Sequence, residues 1–211
     1  MAPADLATIR RLVLAKGRNE TACAKFLQRF AQVLLPSGRH ELYEAGSEID
    51  TRRGRCDLVV LADEYVDAKE RKRVAFVWEL KAPQCFVFVR DGQERARPSD
   101  DLYSAENQLL HYLKSLRSDR EWQTEKKILA DQDIRPGGII IGRETTLMNH
   151  RSVALARRAK EIRREFFYCD RFRLLDWDEV VWHLQNLPNT RRRIKGHLNG
   201  PARMGDSLRT V

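Results

Sequence analysis

Glu79 and Lys81 lie two residues apart at the end of the apolar stretch VAFVWELKAP. In an extended strand, a spacing of two puts both side chains on one face. A hydrophobic strand does not ordinarily carry a carboxylate and an ammonium there, because burying either costs several kcal/mol unless it is paired or metal-bound. The same Glu-x-Lys pattern occurs at Glu70-Arg71-Lys72 and Glu125-Lys126-Lys127, but inside charged stretches where it needs no explanation. A second buried-looking acid, Asp57, opens the apolar run in GRCDLVVLA. If the two runs pair as strands, Asp57 and Glu79 meet at one sheet end, and two carboxylates brought together raise each other's pKa unless a cation is present. A hard divalent ion, Mg²⁺ or Mn²⁺, held by Asp57, Glu79, the backbone carbonyl of Leu80 and waters, would resolve the repulsion. Lys81 is then placed to orient or deprotonate an attacking water, or to neutralise a pentacovalent phosphorus transition state, and the set suits in-line phosphodiester hydrolysis. A strand-end salt bridge, with Asp57 capping a turn, accounts for the same spacing without chemistry.

The elements that must position these residues follow from periodicity. Residues 4–15 read as a short amphipathic helix, and 20–34 as a second, with Cys23, Phe26, Leu27, Phe30, Val33 and Leu34 forming its apolar stripe. The period then changes, giving expected strands at 40–49, 56–62, 74–80 and 85–89, mostly antiparallel. Residues 101–117 resume helical spacing. After Pro136-Gly137-Gly138 come a short strand at 139–142, a basic helix that Asn149 would cap, a strand at 172–175 and a helix at 178–187. With no internal repeat and no linker before the C-terminal segment, one α/β domain is expected.

The chain has 211 residues, 42% hydrophobic, and a formal charge of +9. No apolar run approaches the roughly 18 residues of a membrane span, and Asp5, Arg10 and Arg11 interrupt any leader-like segment, so a cytoplasmic protein with no membrane association is expected. Residues 151–165 carry +4 and residues 191–211 carry +5, which together hold the whole excess. Arg157, Arg158, Lys160, Arg163 and Arg164, with Arg191, Arg192 and Arg193, are therefore the candidate contacts to a polyanion, meeting phosphates without reading sequence. Cys23, Cys56, Cys85 and Cys169 form no C-x-x-C pair and no H-E-x-x-H occurs, so a soft-ligand metal site is not supported. Trp78, Phe26, Phe30, Trp177 and Trp182 fall at core-like spacings and read as packing.

Asp57 in GRCDLVV, WELKAP at 78–83, LYSAENQLLHYL at 102–113 and PGGIIIGR at 136–143 together resemble the PD-(D/E)xK nuclease superfamily, and more narrowly the nuclease domain of Shedu-type anti-phage defence proteins. The closing stretch RFRLLDWDEVVWHL fits as well, and the resemblance spans roughly residues 19–187. It implies an α/β fold with a restriction-endonuclease-like core: a mixed central β-sheet flanked by helices. It further implies that Asp57 and Glu79 bind the metal, that Lys81 is catalytic, that Gln108 stands near the site on the following helix, and that Glu20 is an additional acid from the helix before the sheet. Cys56 stands where the superfamily's name has proline. The implied organisation is an N-terminal helix at 1–18, a nuclease domain at 19–188 and a basic tail at 189–211. The sensing region that Shedu-type proteins carry ahead of this domain is not expected from the 18 residues here. The implied activity is Mg²⁺- or Mn²⁺-dependent cleavage of DNA in anti-phage defence, by a homo-oligomer. The alternative is a catalytically inactive nucleic-acid-binding module of the same fold, and a third reading is an interaction protein with a basic tail.

Overall fold

A computed structural model describes residues 1–36, 38–51, 54–67, 70–92, 94–148, 152–169 and 171–187. Its centre is a five-stranded sheet built from β1 (His40–Thr51), β2 (Gly54–Tyr65), β3 (Arg71–Leu80), β6 (Ile134–Ile140) and β7 (Arg173–Leu175), in that spatial order. The first three form the antiparallel meander that the period-two runs predict, while β6 joins β3 and β7 joins β6 in parallel. The sheet is thus mixed. The fourth expected strand is displaced: residues 85–87 cross over as a loop, and β4 (Phe88–Asp91) pairs with β5 (Arg95–Pro98) in a separate small hairpin.

Helices cover both faces. On one, α3 (Asp100–Arg117), capped by Ser99, lays Leu102, Ala105, Leu109 and Leu116 over Val59, Leu61, Ala75 and Val77. On the other, α1 (Pro3–Leu14), α2 (Glu20–Gln28) and α6 (Trp177–Gln185) bury Ile9, Leu27, Trp177 and Leu184 against Leu58, Val60, Phe76 and Trp78. The remaining helices are α4 (Arg120–Lys126) and α5 (Val153–Ile162), the latter running into a π-helical turn over Arg163–Tyr168. None of the described helices is long and apolar enough to cross a membrane.

Three departures from the sequence reading have physical causes. The helix expected over 20–34 stops at Gln28 and resumes as a 3₁₀ turn, Ala31–Leu34, which ends where Pro36 holds Leu35 in the extended region. The strand expected at 139–142 begins at Ile134, with Pro136 and Gly137 inside it. The β3–β6 register slips between Val77 and Trp78, and this irregularity accommodates a proline in an interior strand. Gly137 is required there, because a Cβ would stand 2.2 Å from the indole nitrogen of the fully buried Trp78. Trp182, expected in the core, is 59% exposed: Trp177, Val180 and Leu184 define the buried stripe of α6, and position 182 lies on its far side.

The sheet end remote from Glu79 is held by charge. Arg135 donates both terminal nitrogens to Glu64, at 2.9 and 2.8 Å, and Lys72 donates to Asp133 at 2.9 Å. The Arg135 hydrogen bonds hold the Glu64 carboxyl at about 2, against the opposing effect of burial. A carboxylate depressed in this way adds stability that is complete above its unfolded pKa of 4.5 and is lost as pH falls towards 2. Glu64→Gln is therefore expected to cost about 1–2 kcal/mol near pH 7, after allowing for screening on the open side, and progressively less below pH 4.5. Urea unfolding of both proteins across this range measures it, and a deficit independent of pH would contradict the assignment.

Candidate active site

Period two along β3 sends Ala75 and Val77 to the α3 face, and Glu79 and Lys81 follow them. Glu79 is 1% exposed. Lys81 Nζ bridges two acceptors, donating to Glu79 Oε1 at 2.8 Å and to Gln108 Oε1 of α3 at 2.6 Å. Extending the β2–β3 register by one position beyond Leu58–Trp78 sets Asp57 opposite Glu79. Asp57 Oδ2 accepts the Leu80 N–H at 2.9 Å, so the backbone between Glu79 and Lys81 is part of the arrangement. Asp57, Glu79, Lys81 and Gln108, drawn from β2, β3, the residue after β3 and α3, thus converge as the spacing and the resemblance led one to expect.

The backbone at Lys81 is pinned from both sides. Its N–H donates to the Ile140 carbonyl of β6 at 2.8 Å, and its carbonyl accepts from Trp177 Nε1, at the start of α6, at 2.8 Å. Glu20, the first residue of α2, is half-buried, and burial raises its pKa while Lys81 opposes this and Asp57 adds to it. The Ala82 backbone N–H favours its charged form. Among the described residues, no group of three or more His, Cys, Asp or Glu side chains is gathered closely enough to hold a metal ion. Glu20 lies close enough to Asp57 and Lys81 for their charges to act on it.

Electrostatics distinguish the two ends of the Glu79–Lys81 pair. Burial, with Asp57 adding to it, lifts the Glu79 carboxyl to about 8 even though Lys81 pulls the other way. The Lys81 pKa is raised: burial opposes the charge, but Glu79, then Glu20 and Asp57, outweigh it. Lys81 is accordingly a donor and a positive charge at neutral pH. Glu79 Oε2 is buried and, among the described residues, forms no well-formed hydrogen bond, although the Asp57 carboxyl lies close enough to act on it.

Tyr112 was not singled out by the sequence, although it lies one helical turn beyond Gln108 on the same face of α3. It is buried, and burial followed by the charges of Glu79 and Asp57 pushes its phenol up to about 12, so the ring closes the site as a neutral wall. A Cβ at Gly54 would come within 3.3 Å of that ring. Cys56 lies near Asp57 and Glu79 and Cys23 near Glu20, and both thiols are held protonated chiefly by burial.

The cations predicted to meet a polyanion are distributed differently. Arg163 is clamped to Glu106 by two bonds of 2.5 Å, and Tyr168 donates to the same carboxylate. Lys160 is shared by Asp176 and Glu179, and Arg157 pairs with Glu144. Lys160 and Arg163 serve the packing of α5 and its π-helical extension, whereas Arg157, Arg158 and Arg164 are exposed. Arg191, Arg192 and Arg193, and the proposed Asn149 cap, lie outside the described residues. Comparison with family models and with curated proteins returns no match for this chain.

Proposed function

We propose that this chain is a divalent-metal-dependent endonuclease of the PD-(D/E)xK type, with a restriction-endonuclease-like core, hydrolysing phosphodiester bonds of DNA and serving anti-phage defence. The observation that carries the reading is the convergence of Asp57, Glu79, Lys81 and Gln108 at one sheet end, with Glu79 Oε2 buried and, among the described residues, outside any well-formed hydrogen bond. A buried carboxylate oxygen beside a second carboxylate is a costly arrangement in a protein that does not use it. Hard oxygen donors of this kind fit Mg²⁺ or Mn²⁺, and Asp57, Glu79 and the Leu80 carbonyl are the groups that would hold it. When bound, such an ion neutralises phosphate charge and acidifies a coordinated water.

The chain's own contribution is positioning and charge. Asp57 is fixed by the Leu80 N–H, so its carboxylate needs no reorganisation. Gln108 holds the Lys81 ammonium at the edge of the buried acids, where it stabilises the negative charge that grows on the phosphoryl oxygens as water attacks and the P–O bond opens. In this low-dielectric setting the interaction is stronger than in bulk water. Burial and Asp57 favour a proton on Glu79 until a cation replaces it.

The test has two readouts. Supercoiled plasmid is expected to be cut with Mg²⁺ or Mn²⁺ and to survive in EDTA. The same ions are expected to raise the melting temperature of the wild type, but not of Glu79→Gln. Intact plasmid under every metal condition, with duplex still bound, would favour the nucleic-acid-binding module instead. Absence of a metal-induced shift in melting would overturn the metal site itself.

A further inference from the structure

A single exposed phenylalanine needs no explanation, but two in succession do. Phe166 and Phe167, on the π-helical turn that continues α5, are each 67% exposed, and Ile162 just before that turn is 44% exposed. Tyr168, the next residue, is buried. Phe167 is held in place. The Arg163 guanidinium lies over its ring, 4.7 Å from the centroid, and Arg163 is itself clamped to Glu106 of α3 by two bonds of 2.5 Å, so a fixed cation backs the ring.

The same ring lines a groove of about 520 Å³ between α5 and the β4–β5 hairpin, within the size range of ligand sites. Arg158 stands on the α5 wall of this groove and Arg95 and Arg97 on the hairpin wall, and all of them are exposed. Arg97 reaches Asp100 only at 3.7 Å, a pair open to water and worth little. The acids of the groove, Asp91 and Glu94, are confined to the hairpin tip. Arg157 and Arg164 line instead the groove against α6, where Asp176, Asp178 and Glu179 would repel a phosphate. An aromatic face backed by one arginine and edged by others matches a base joined to a phosphate, since the ring accepts any base and the guanidinium groups take the charge. A protein surface would match the rings but not the arginines around them. A duplex would match the arginines, but its bases are already stacked on each other and cannot reach the ring.

We propose that Phe167 is a stacking platform for an unpaired base of a single-stranded nucleic acid, with Arg158 and the hairpin arginines holding the adjoining phosphates. This goes beyond the cleavage chemistry and requires only binding. The experiment is fluorescence anisotropy in EDTA over a range of salt concentrations, with three labelled probes: oligo(dT), an abasic strand of equal length and a blunt hairpin duplex. The wild type is expected to bind oligo(dT) about tenfold more tightly than the abasic strand. Phe167→Ala should lose that preference at every salt concentration while keeping the logarithmic salt slope and the affinity for duplex. Phe167→Leu, apolar but without a π face, should behave like Phe167→Ala, and Phe167→Trp should bind at least as tightly as the wild type. Arg158→Ala should instead shrink the salt slope by about 0.7, the share of one single-strand phosphate. Because the ring is exposed, the Phe167 variants should melt close to the wild type. Equal binding of oligo(dT) and the abasic strand by the wild type, or full affinity in Phe167→Leu, would overturn the platform. So would a change of oligomeric state in Phe167→Ala, which would make the patch an interface between copies of the chain. Uncut plasmid alongside the expected binding results would remove the nuclease reading and leave the platform standing.

Discussion

Lys81→Ala is expected to lower plasmid cleavage by roughly 10²- to 10⁴-fold while leaving the melting temperature within a few degrees of the wild type. The size follows from what the side chain does. Its ammonium is the positive group bonded to Glu79 at the strand end, and Gln108 fixes it, so removing it deletes transition-state stabilisation that is preorganised and partly shielded from water. The modest effect on stability follows from the same electrostatics: Glu79 already favours its neutral form, so losing the cation lets the carboxyl keep its proton rather than strand a buried charge. Because Lys81 remains charged at neutral pH, Lys81→Arg should retain some activity, whereas a lysine acting as a base would not be replaced by a guanidinium at all. Initial rates at saturating Mg²⁺, with melts on the same samples, measure this. A Lys81→Ala protein that cuts at the parental rate would remove Lys81 from the chemistry.

The second large effect is expected at Trp177. This side chain is fully buried at the start of α6, and its Nε1 donates to the Lys81 carbonyl at 2.8 Å, so one residue joins the core to the site. Trp177→Ala should cost about 3–5 kcal/mol in denaturant unfolding, because an aromatic side chain leaves a cavity that the surrounding Leu80, Val180 and Leu184 fill only in part. Trp177→Phe separates the two roles. It keeps most of the apolar volume but removes the N–H, leaving the Lys81 carbonyl short of its donor at a cost of about 1–3 kcal/mol. Cleavage by this variant should fall about tenfold in the saturating rate with little change in DNA affinity, since a small displacement of a catalytic group is expensive. Should Trp177→Phe turn over like its parent, the bond to Lys81 has no part in positioning.

Much of the candidate site was legible in the chain itself. An acid and an amine two residues apart on a strand of Val, Ala, Phe, Val and Trp must share a face, and that is a property of extended backbone, independent of the rest of the fold. The antiparallel meander was legible for the same reason, since alternation and short turns are local. The parallel strands β6 and β7 were only half visible: partnership with β3 is settled across more than fifty residues by which apolar faces α3 and α6 can cover. The residues 134–138 looked like a breaker because a proline and two glycines were read without the Trp78 ring and the register slip that give them a use.

Charge shows the limit most clearly. By itself the sequence determined how many cations the chain carries and that 151–165 concentrates them. Only the tertiary structure decided that Arg157, Lys160 and Arg163 answer to Glu144, Asp176, Glu179 and Glu106, while Lys81 is set against Glu79 and Gln108. The reason is physical: a side chain's alternation is fixed by its neighbours in sequence, whereas the partner of a charge is whatever the fold brings within a few ångströms of it.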